Sequence, residues 1–474
     1  MNIDYSILKK YPFCNRCFGR LYGKLIRTDN FDRGRALKLS KAIELEQLLR
    51  IALENLNNDN LEFESDLKLT PDEIDEIKRL MYSIHRSGLF EIKLDLIDNI
   101  EKYEAEYKLL EETNGEKALE ELEIKCPWCK DIFAPENLQK ISENIAETLK
   151  NYEFESFLIG TKLPKRFKEL EKEIETPFME SIRQEFGREL GKIVTPILKR
   201  RVDKENPDIV IMVNPYNQKV TLQVNPIFIK GRYKKLVRGI PQSHWHCRTC
   251  KGRGCEKCNF TGKQYQTSVE EIIAEPFMEI MKGSSEALHG AGREDIDVRM
   301  LGNGRPFVIE IKEPKVRTVN LKKMSEKVNS SKMVEITDLE YGNKKDVHFF
   351  KNEPHKKTYL AKVECDEKVS KEEVLNLVQK LENLVIDQRT PDRVAHRRAD
   401  LVRVRKVYKA WPHILDDYNF ELKIFCDGGL YIKELISSDE GRTSPSVSEL
   451  LDKKCICKFL DVLDVHDYED VENI

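Results

Sequence analysis

The chain has 474 residues, 40% of them hydrophobic and 34% charged, with a formal net charge of −3. That composition excludes a disordered chain and allows about two to four folded domains. No apolar run approaches a membrane span, and the segment Met1 to Cys17 lacks the apolar core of a secretion signal. A cytoplasmic protein with no membrane partner is expected.

The charge is unevenly spread. Residues Lys192 to Arg238 and, more densely, Arg389 to Lys409 are basic, whereas Glu101 to Glu123 is acidic. Local basic surface on a near-neutral chain is compatible with RNA binding. Eight of the twelve cysteines fall in four Cys-x-x-Cys pairs. Without a secretion signal, that spacing points to metal binding or redox chemistry before structural disulfides.

From Asp32 to about Glu121 the pattern is helical: Arg35–Leu49 and Thr70–Arg86 repeat apolar residues every three or four positions. Thr70-Pro71-Asp72-Glu73 is a helix start, and Thr176–Val194 reads as a helix opened by Thr176-Pro177 and closed before Pro196. Asp208–Val213 and Lys219–Ile229 alternate like strands. Beyond a Cys-rich knot at His246–Gly262, the predicted strands are Pro306–Lys312, Met333–Leu339, Thr358–Cys365, Leu401–Lys409, Phe420–Cys426 and Cys455–Val465. Helices are predicted at Thr318–Asn329 and Lys371–Asn383. Runs of strands separated by single helices indicate an α+β fold with a mostly antiparallel sheet.

Two cysteine sets offer four thiolates each. Cys14/Cys17 and Cys126/Cys129 bracket the helical block, and each two-residue gap lets both sulfurs face one ion at ~2.3 Å. Two unrelated thiol pairs or a redox dithiol remain open there, since Cys126-Pro127-Trp128-Cys129 has thioredoxin-like spacing. The second set, Cys247/Cys250 and Cys255/Cys258, is more compact, with glycines at 252, 254 and 262 freeing the knuckle turns. It resembles one repeat of the zinc-binding region of the DnaJ chaperones, which carry several. One or two structural zinc ions are expected. Cys365, Cys426, Cys455 and Cys457 lie in strand-like stretches and read as packing residues.

Taken bare, Gly292 to Phe307 is a charged turn leading into a strand. Gly292-Arg293-Glu294-Asp295 resembles the Gly-Arg-x-Asp signature of the pseudouridine synthases, whose aspartate is the essential carboxylate. Lys357-Thr358-Tyr359 and the run Gly429 to Leu435, with Tyr431 and Lys433 inside it, follow in that superfamily's order over about 140 residues. The runs Arg389 to Arg398 and Asp439 to Leu450 resemble the archaeal-type branch that isomerises uridines 54 and 55 of the tRNA T arm. The middle of the chain resembles the RNA-binding THUMP domain.

The resemblance implies a C-terminal synthase fold, with a mixed, mostly antiparallel sheet flanked by helices, behind an N-terminal zinc and THUMP-like part. Expected boundaries are 1–150 for the zinc region with its helical insertion, 151–243 for the THUMP-like region, 244–263 for the knuckle and 264–474 for the catalytic domain. Asp295 is the implied catalytic carboxylate, with Asp297 its competitor two residues on. Ionising a desolvated carboxylate needs a nearby cation, and the resemblance assigns Lys433. Tyr359 would stack on the uracil and could relay a proton. Leu435 would pack under the base, and Tyr431 and Arg398 would contact substrate. Arg293 could fill the gap left by an extruded nucleotide or contact phosphate.

Asn303-Gly304-Arg305 reads as a loop gripping RNA, and Tyr233 to Pro241 as a phosphate-binding patch. The expected partner is tRNA, and the expected state a monomer. No phosphate-loop or dinucleotide fingerprint occurs, so neither nucleotide nor catalytic cofactor is expected. Two rivals are a THUMP-bearing methyltransferase, whose glycine-rich methyl-donor turn is not found, and a zinc-dependent tRNA-binding or chaperone protein without catalysis.

Overall fold

The computed structural model describes residues 3–57, 70–87, 126–352, 355–395 and 398–466. The chain divides into two compact units, Met1–Asn151 with Glu155–Gln223, and Tyr152–Phe154 with Val224–Ile474. This division falls at residue 223, earlier than the expected boundary at 243. The reason is local. Asn225-Pro226 interrupts the single strand expected over Lys219–Ile229, because proline has no N–H for the ladder. The two resulting strands join different sheets.

The first unit holds helices Asn30–Asn57, Pro71–Arg86, Pro135–Leu149 and Ile182–Leu198. Residues 58–69 and 88–125 of the expected helical block, including its acidic run, lie outside the described residues. Its sheet contains β1 (Ser156–Thr161), β2 (Arg201–Val202), β3 (Ile209–Asn214) and β4 (Lys219–Val224), in the order β2-β1-β3-β4. Strand β1 runs parallel to both β2 and β3.

The helix expected from Thr176 starts instead at Ile182. Ser181 and Gln184 form a reciprocal capping box there, satisfying two otherwise orphaned N–H groups. Pro196 sits in the last turn without ending the helix. This helix also carries Glu185, whose carboxylate accepts from the buried Arg20 guanidinium at 2.5 Å.

The second unit is built on a ten-stranded sheet ordered β13-β10-β11-β12-β9-β14-β7-β5-β8, with β6 pairing β7. The strands are β5 (Ile227–Lys235), β6 (Ser285–Gly290), β7 (Arg299–Lys312), β8 (Val334–Gly342), β9 (Lys357–Cys365), β10 (Val385–Arg389), β11 (Val402–Ile414), β12 (Asn419–Cys426), β13 (Thr443–Ser444) and β14 (Cys455–Val465). Strands β7 and β14 run parallel, and the sheet's other pairings are antiparallel.

Helices Val269–Met281, Leu321–Asn329 and Lys371–Leu381 contribute Ile273, Phe277, Met324, Val328, Val374 and Leu377 to one continuous core. Each large apolar side chain so buried is worth roughly 1.5–3 kcal/mol before entropy is counted. Cys365, Cys426 and Cys455 are buried in this core, as their strand positions suggested. This rigid sheet fixes the backbone from which the candidate site is assembled.

Candidate active site

Strands β6 and β7 form an antiparallel pair, and residues 291–298 connect them. Gly292 opens the turn at φ +89°, in the left-handed region that favours glycine. A Cβ there would lie 2.7 Å from Lys357 Nζ and 3.0 Å from Arg305 Nη1. No larger residue fits without moving buried cations.

The next residues differ in burial and partners. Glu294 is buried, accepting hydrogen bonds from the Tyr233 hydroxyl at 2.9 and 3.0 Å and from Arg305 Nε at 3.0 Å. Gln242 Nε2 donates to the Tyr233 hydroxyl at 2.7 Å and to the Gly292 carbonyl at 3.0 Å. Arg305 Nη1 donates to the Ala291 carbonyl at 2.7 Å. Both carboxylates border one cleft, but the Glu294 side chain is 0% exposed with its oxygens spent on these partners, whereas that of Asp295 is 31% exposed.

A second buried group grips the backbone of the same turn. Lys235, at 0% exposure, donates to the carbonyls of Ile240, Asp295 and Ile296 at 3.0, 3.0 and 3.1 Å. All three ammonium protons are therefore used. Burial pulls its pKa down to about 8, against the pull of Glu294, Asp297 and Asp295. The burial of β5 alternates strictly, turning Ile227, Ile229, Gly231, Tyr233 and Lys235 inward. This corrects the expected phosphate-binding patch: Tyr233 and Lys235 support the turn from within.

Asp295 borders a cleft of about 390 Å³ whose wall includes Tyr359, Leu430, Tyr431, Lys433, Leu460 and Val462. Tyr359 comes from β9, where it pairs with Val462 of β14 and Ile424 of β12. Its phenol is pushed up by burial and therefore stays protonated at neutral pH. Tyr431 precedes the short helix Ile432–Ser437; its backbone N–H donates to Gln388 Oε1 at 2.8 Å, and its carbonyl accepts from Gln388 Nε2 at 3.0 Å. Arg398 also lines the cleft and is exposed.

Among the described residues, two cations reach Asp295. Lys433 Nζ lies 3.7 Å from Asp295 Oδ2, but bonds both oxygens of Asp297 at 2.7 and 2.8 Å. Burial would raise the Asp297 carboxyl, yet Lys433 holds it below the ordinary range. Arg393, given no role by sequence reasoning, is closer: its Nη1 stands 2.8 Å from Asp295 Oδ2. Arg393 Nε also donates to Glu434 at 2.5 Å, and the guanidinium lies 5.9 Å from the Tyr431 ring centre. Its signal was present in the run Arg389 to Arg398, but only folding shows which arginine of that run meets the carboxylate.

Two expectations need correction. Arg305 belongs to β7 and is 1% exposed, so it braces Glu294 instead of gripping RNA from a loop. Leu435 is 0% exposed in the core and does not line the cleft, because Gly429–Leu435 turns into a helix whose Ile432, Leu435 and Ile436 face inward. Leu430, Leu460 and Val462 supply the cleft's apolar wall. Arg293 is exposed, with its guanidinium 5.5 Å from the Trp245 ring centre.

Both cysteine sets converge. In each, the four sulfurs lie within 4.8 Å of one another. Cys14 and Cys129 sulfurs are 3.6 Å apart, and the second set shows 3.9 Å for Cys247–Cys255, 3.8 Å for Cys250–Cys258 and 3.7 Å for Cys255–Cys258. Four thiolates bonded tetrahedrally to one ion at ~2.3 Å stand ~3.8 Å apart. The donor sets fit a metal.

Comparison with known proteins places the chain in a family. Residues 228–466 match the family model "Pus10, C-terminal", and residues 141–214 match "Pus10 THUMP domain, archaeal". The tRNA pseudouridine synthase Pus10 of Methanococcus voltae is 54% identical, with all of both chains covered. That of Methanocaldococcus jannaschii is also 54% identical, over 98% of this chain and 94% of its own. The Pyrococcus furiosus protein of the same name is 38% identical over 98% and 97%. The chain belongs to the Pus10 family of tRNA pseudouridine synthases.

Proposed function

We propose that the chain isomerises uridine to pseudouridine in the tRNA T arm, at position 54, 55 or both, with Asp295 as the catalytic carboxylate. The observation that carries this reading is the contrast between two carboxylates that border one cleft: Glu294 is buried and spent on Tyr233 and Arg305, while Asp295 is partly exposed beside Arg393. The reaction breaks the bond from the sugar to nitrogen, turns the uracil and rejoins it through carbon. Nothing is added or lost, so the enzyme's work is to desolvate, hold and rotate one base while keeping a carboxylate ionised.

Arg393 and Lys433 supply the charge that opposes desolvation of Asp295. Tyr359 offers a ring for the uracil and a hydroxyl that remains a donor. Leu430, Leu460 and Val462 keep the base in apolar surroundings, and Tyr431 and Arg398 border it. Each cysteine set holds one structural zinc, far better suited to fixing knuckles than to taking part in the reaction, since four thiolates leave no open position. The roles of Asp295 and Asp297 are separated by single-turnover assay of Asp295→Asn and Asp297→Asn on tRNA. Loss of chemistry in the first with residual turnover in the second is expected. Activity in Asp295→Asn and none in Asp297→Asn would reassign the carboxylate.

A further inference from the structure

Asp295 stands between two clefts. The second, of about 260 Å³, is lined by Pro241, Trp245, Arg293, Asp297 and Lys433 among others, and the function proposed above leaves it without a role. It shares Arg293, Glu294, Asp295, Arg393 and Lys433 with the first cleft. A strand that delivers one nucleotide to the first therefore passes the second.

We propose that this second cleft seats the nucleotide next to the target, with its base stacked on Trp245. This inference rests on the first cleft being the uridine site. Presenting a single base to Asp295 requires that base to leave its stack, which strips its neighbour of one stacking face as well. A protein recovers part of that cost by offering an aromatic ring to the neighbour.

Trp245 is partly exposed and follows Ser243-His244 on the approach to the cysteine knuckle, whose fold anchors it: its carbonyl accepts from Gln264 N–H at 2.9 Å, and its ring meets Tyr265 edge-on at 5.7 Å. A ring fixed in this way loses little entropy when a base arrives.

In the free protein the Arg293 guanidinium lies over that ring. A planar cation is the closest side-chain stand-in for a nucleobase on an aromatic face. Arg293 thus holds the place the base takes, and leaves it when RNA enters, free to fill the space vacated in the RNA stack. The residue next to the catalytic turn and the aromatic seat exchange partners in one motion. Any of the four bases can stack, so the seat recognises an unstacked nucleotide and not a sequence.

The test uses the full-length protein and a tRNA transcript. Trp245 emission is read as the difference between wild type and Trp245→Phe, with and without saturating tRNA. Quenching of the Trp245 share on tRNA binding is expected, and an unchanged difference spectrum overturns the proposal. In parallel, 2-aminopurine replaces each nucleotide flanking the target in turn. One flanking position is expected to be stacked with wild type and bright with Trp245→Ala. Trp245→Ala is also expected to weaken tRNA binding about tenfold, as for one lost base–aromatic stack, while Trp245→Phe stays within about threefold. Trp245→Ala binding and turning over like wild type, with no change in any probe, overturns it too. Asp295→Asn serves as the control: it still quenches Trp245. Pseudouridine formed by Asp295→Asn would instead refute the uridine-site reading on which this one rests.

Discussion

Replacing Lys235 by methionine isolates the positioning of the catalytic turn from its chemistry. Lys235 touches no substrate, yet its ammonium holds the carbonyls of Asp295 and Ile296 to that of Ile240. The energetics oppose each other. Depressing its pKa from 10.5 to about 8, at ~1.36 kcal/mol per unit, means that the buried charge is disfavoured by roughly 3 kcal/mol on balance. Methionine removes that charge but takes the donor from three turn carbonyls, at roughly 1–3 kcal/mol each. The net loss of stability is therefore about 0–6 kcal/mol.

The effect on rate is larger than that of a modest destabilisation, because a displacement of ~1 Å at a reacting group costs on the order of a hundredfold. Single-turnover rates with excess Lys235→Met enzyme should fall about that much, with tRNA affinity within about threefold and a cooperative melt retained. Wild-type rates should also decline as pH rises through about 8, where the clamp loses its charge. A Lys235→Met enzyme as fast as wild type, or one whose whole defect lies in tRNA affinity, would refute the positioning role.

Removing the nearer cation should cost more activity than removing the farther one. Arg393→Met takes a positive charge from 2.8 Å of Asp295, so single-turnover rates on tRNA should fall about tenfold or more, with Lys433→Met, whose ammonium stands 3.7 Å away, costing less. Equal losses, or none, would show that Arg393 is not the principal counter-charge. Metal analysis of protein purified without chelator should find two zinc ions per chain, and Cys17→Ser should remove one of them while lowering the melting temperature. Absence of zinc from a fully folded preparation would return both cysteine sets to thiol chemistry.

Much of this site could be read in the sequence, and the failures have a common cause. Asp295, Tyr359, Tyr431 and Lys433 come from three separate segments, the 291–298 turn, β9 and the start of the helix Ile432–Ser437, and the fold brings all four to one cleft in the order their motifs run. The central strands were legible from alternation, as in β9 and β12, whose inward residues are Val363, Ala361, Leu422 and Ile424. Charged residues were the difficulty. Lys235 and Arg305 look like RNA-binding cations until their partners, a set of turn carbonyls and Glu294, appear from other parts of the chain. The alternation of β5 carried a signal for Lys235, overridden by the habit of placing lysine outside. Leu435 failed for a different reason. The run Gly429–Leu435 turns into a helix, and the spacing of Leu435 from Ile432 already marked an inward helical face.

The most direct test of the central assignment is position-resolved pseudouridine mapping on an unmodified tRNA transcript, with wild-type protein and with Asp295→Ala, and with no cofactor added. New pseudouridine in the T arm with wild type alone is the expected result. Tight binding without any pseudouridine, from wild-type protein that is folded and zinc-loaded, would contradict it and leave an RNA-binding protein in place of an enzyme.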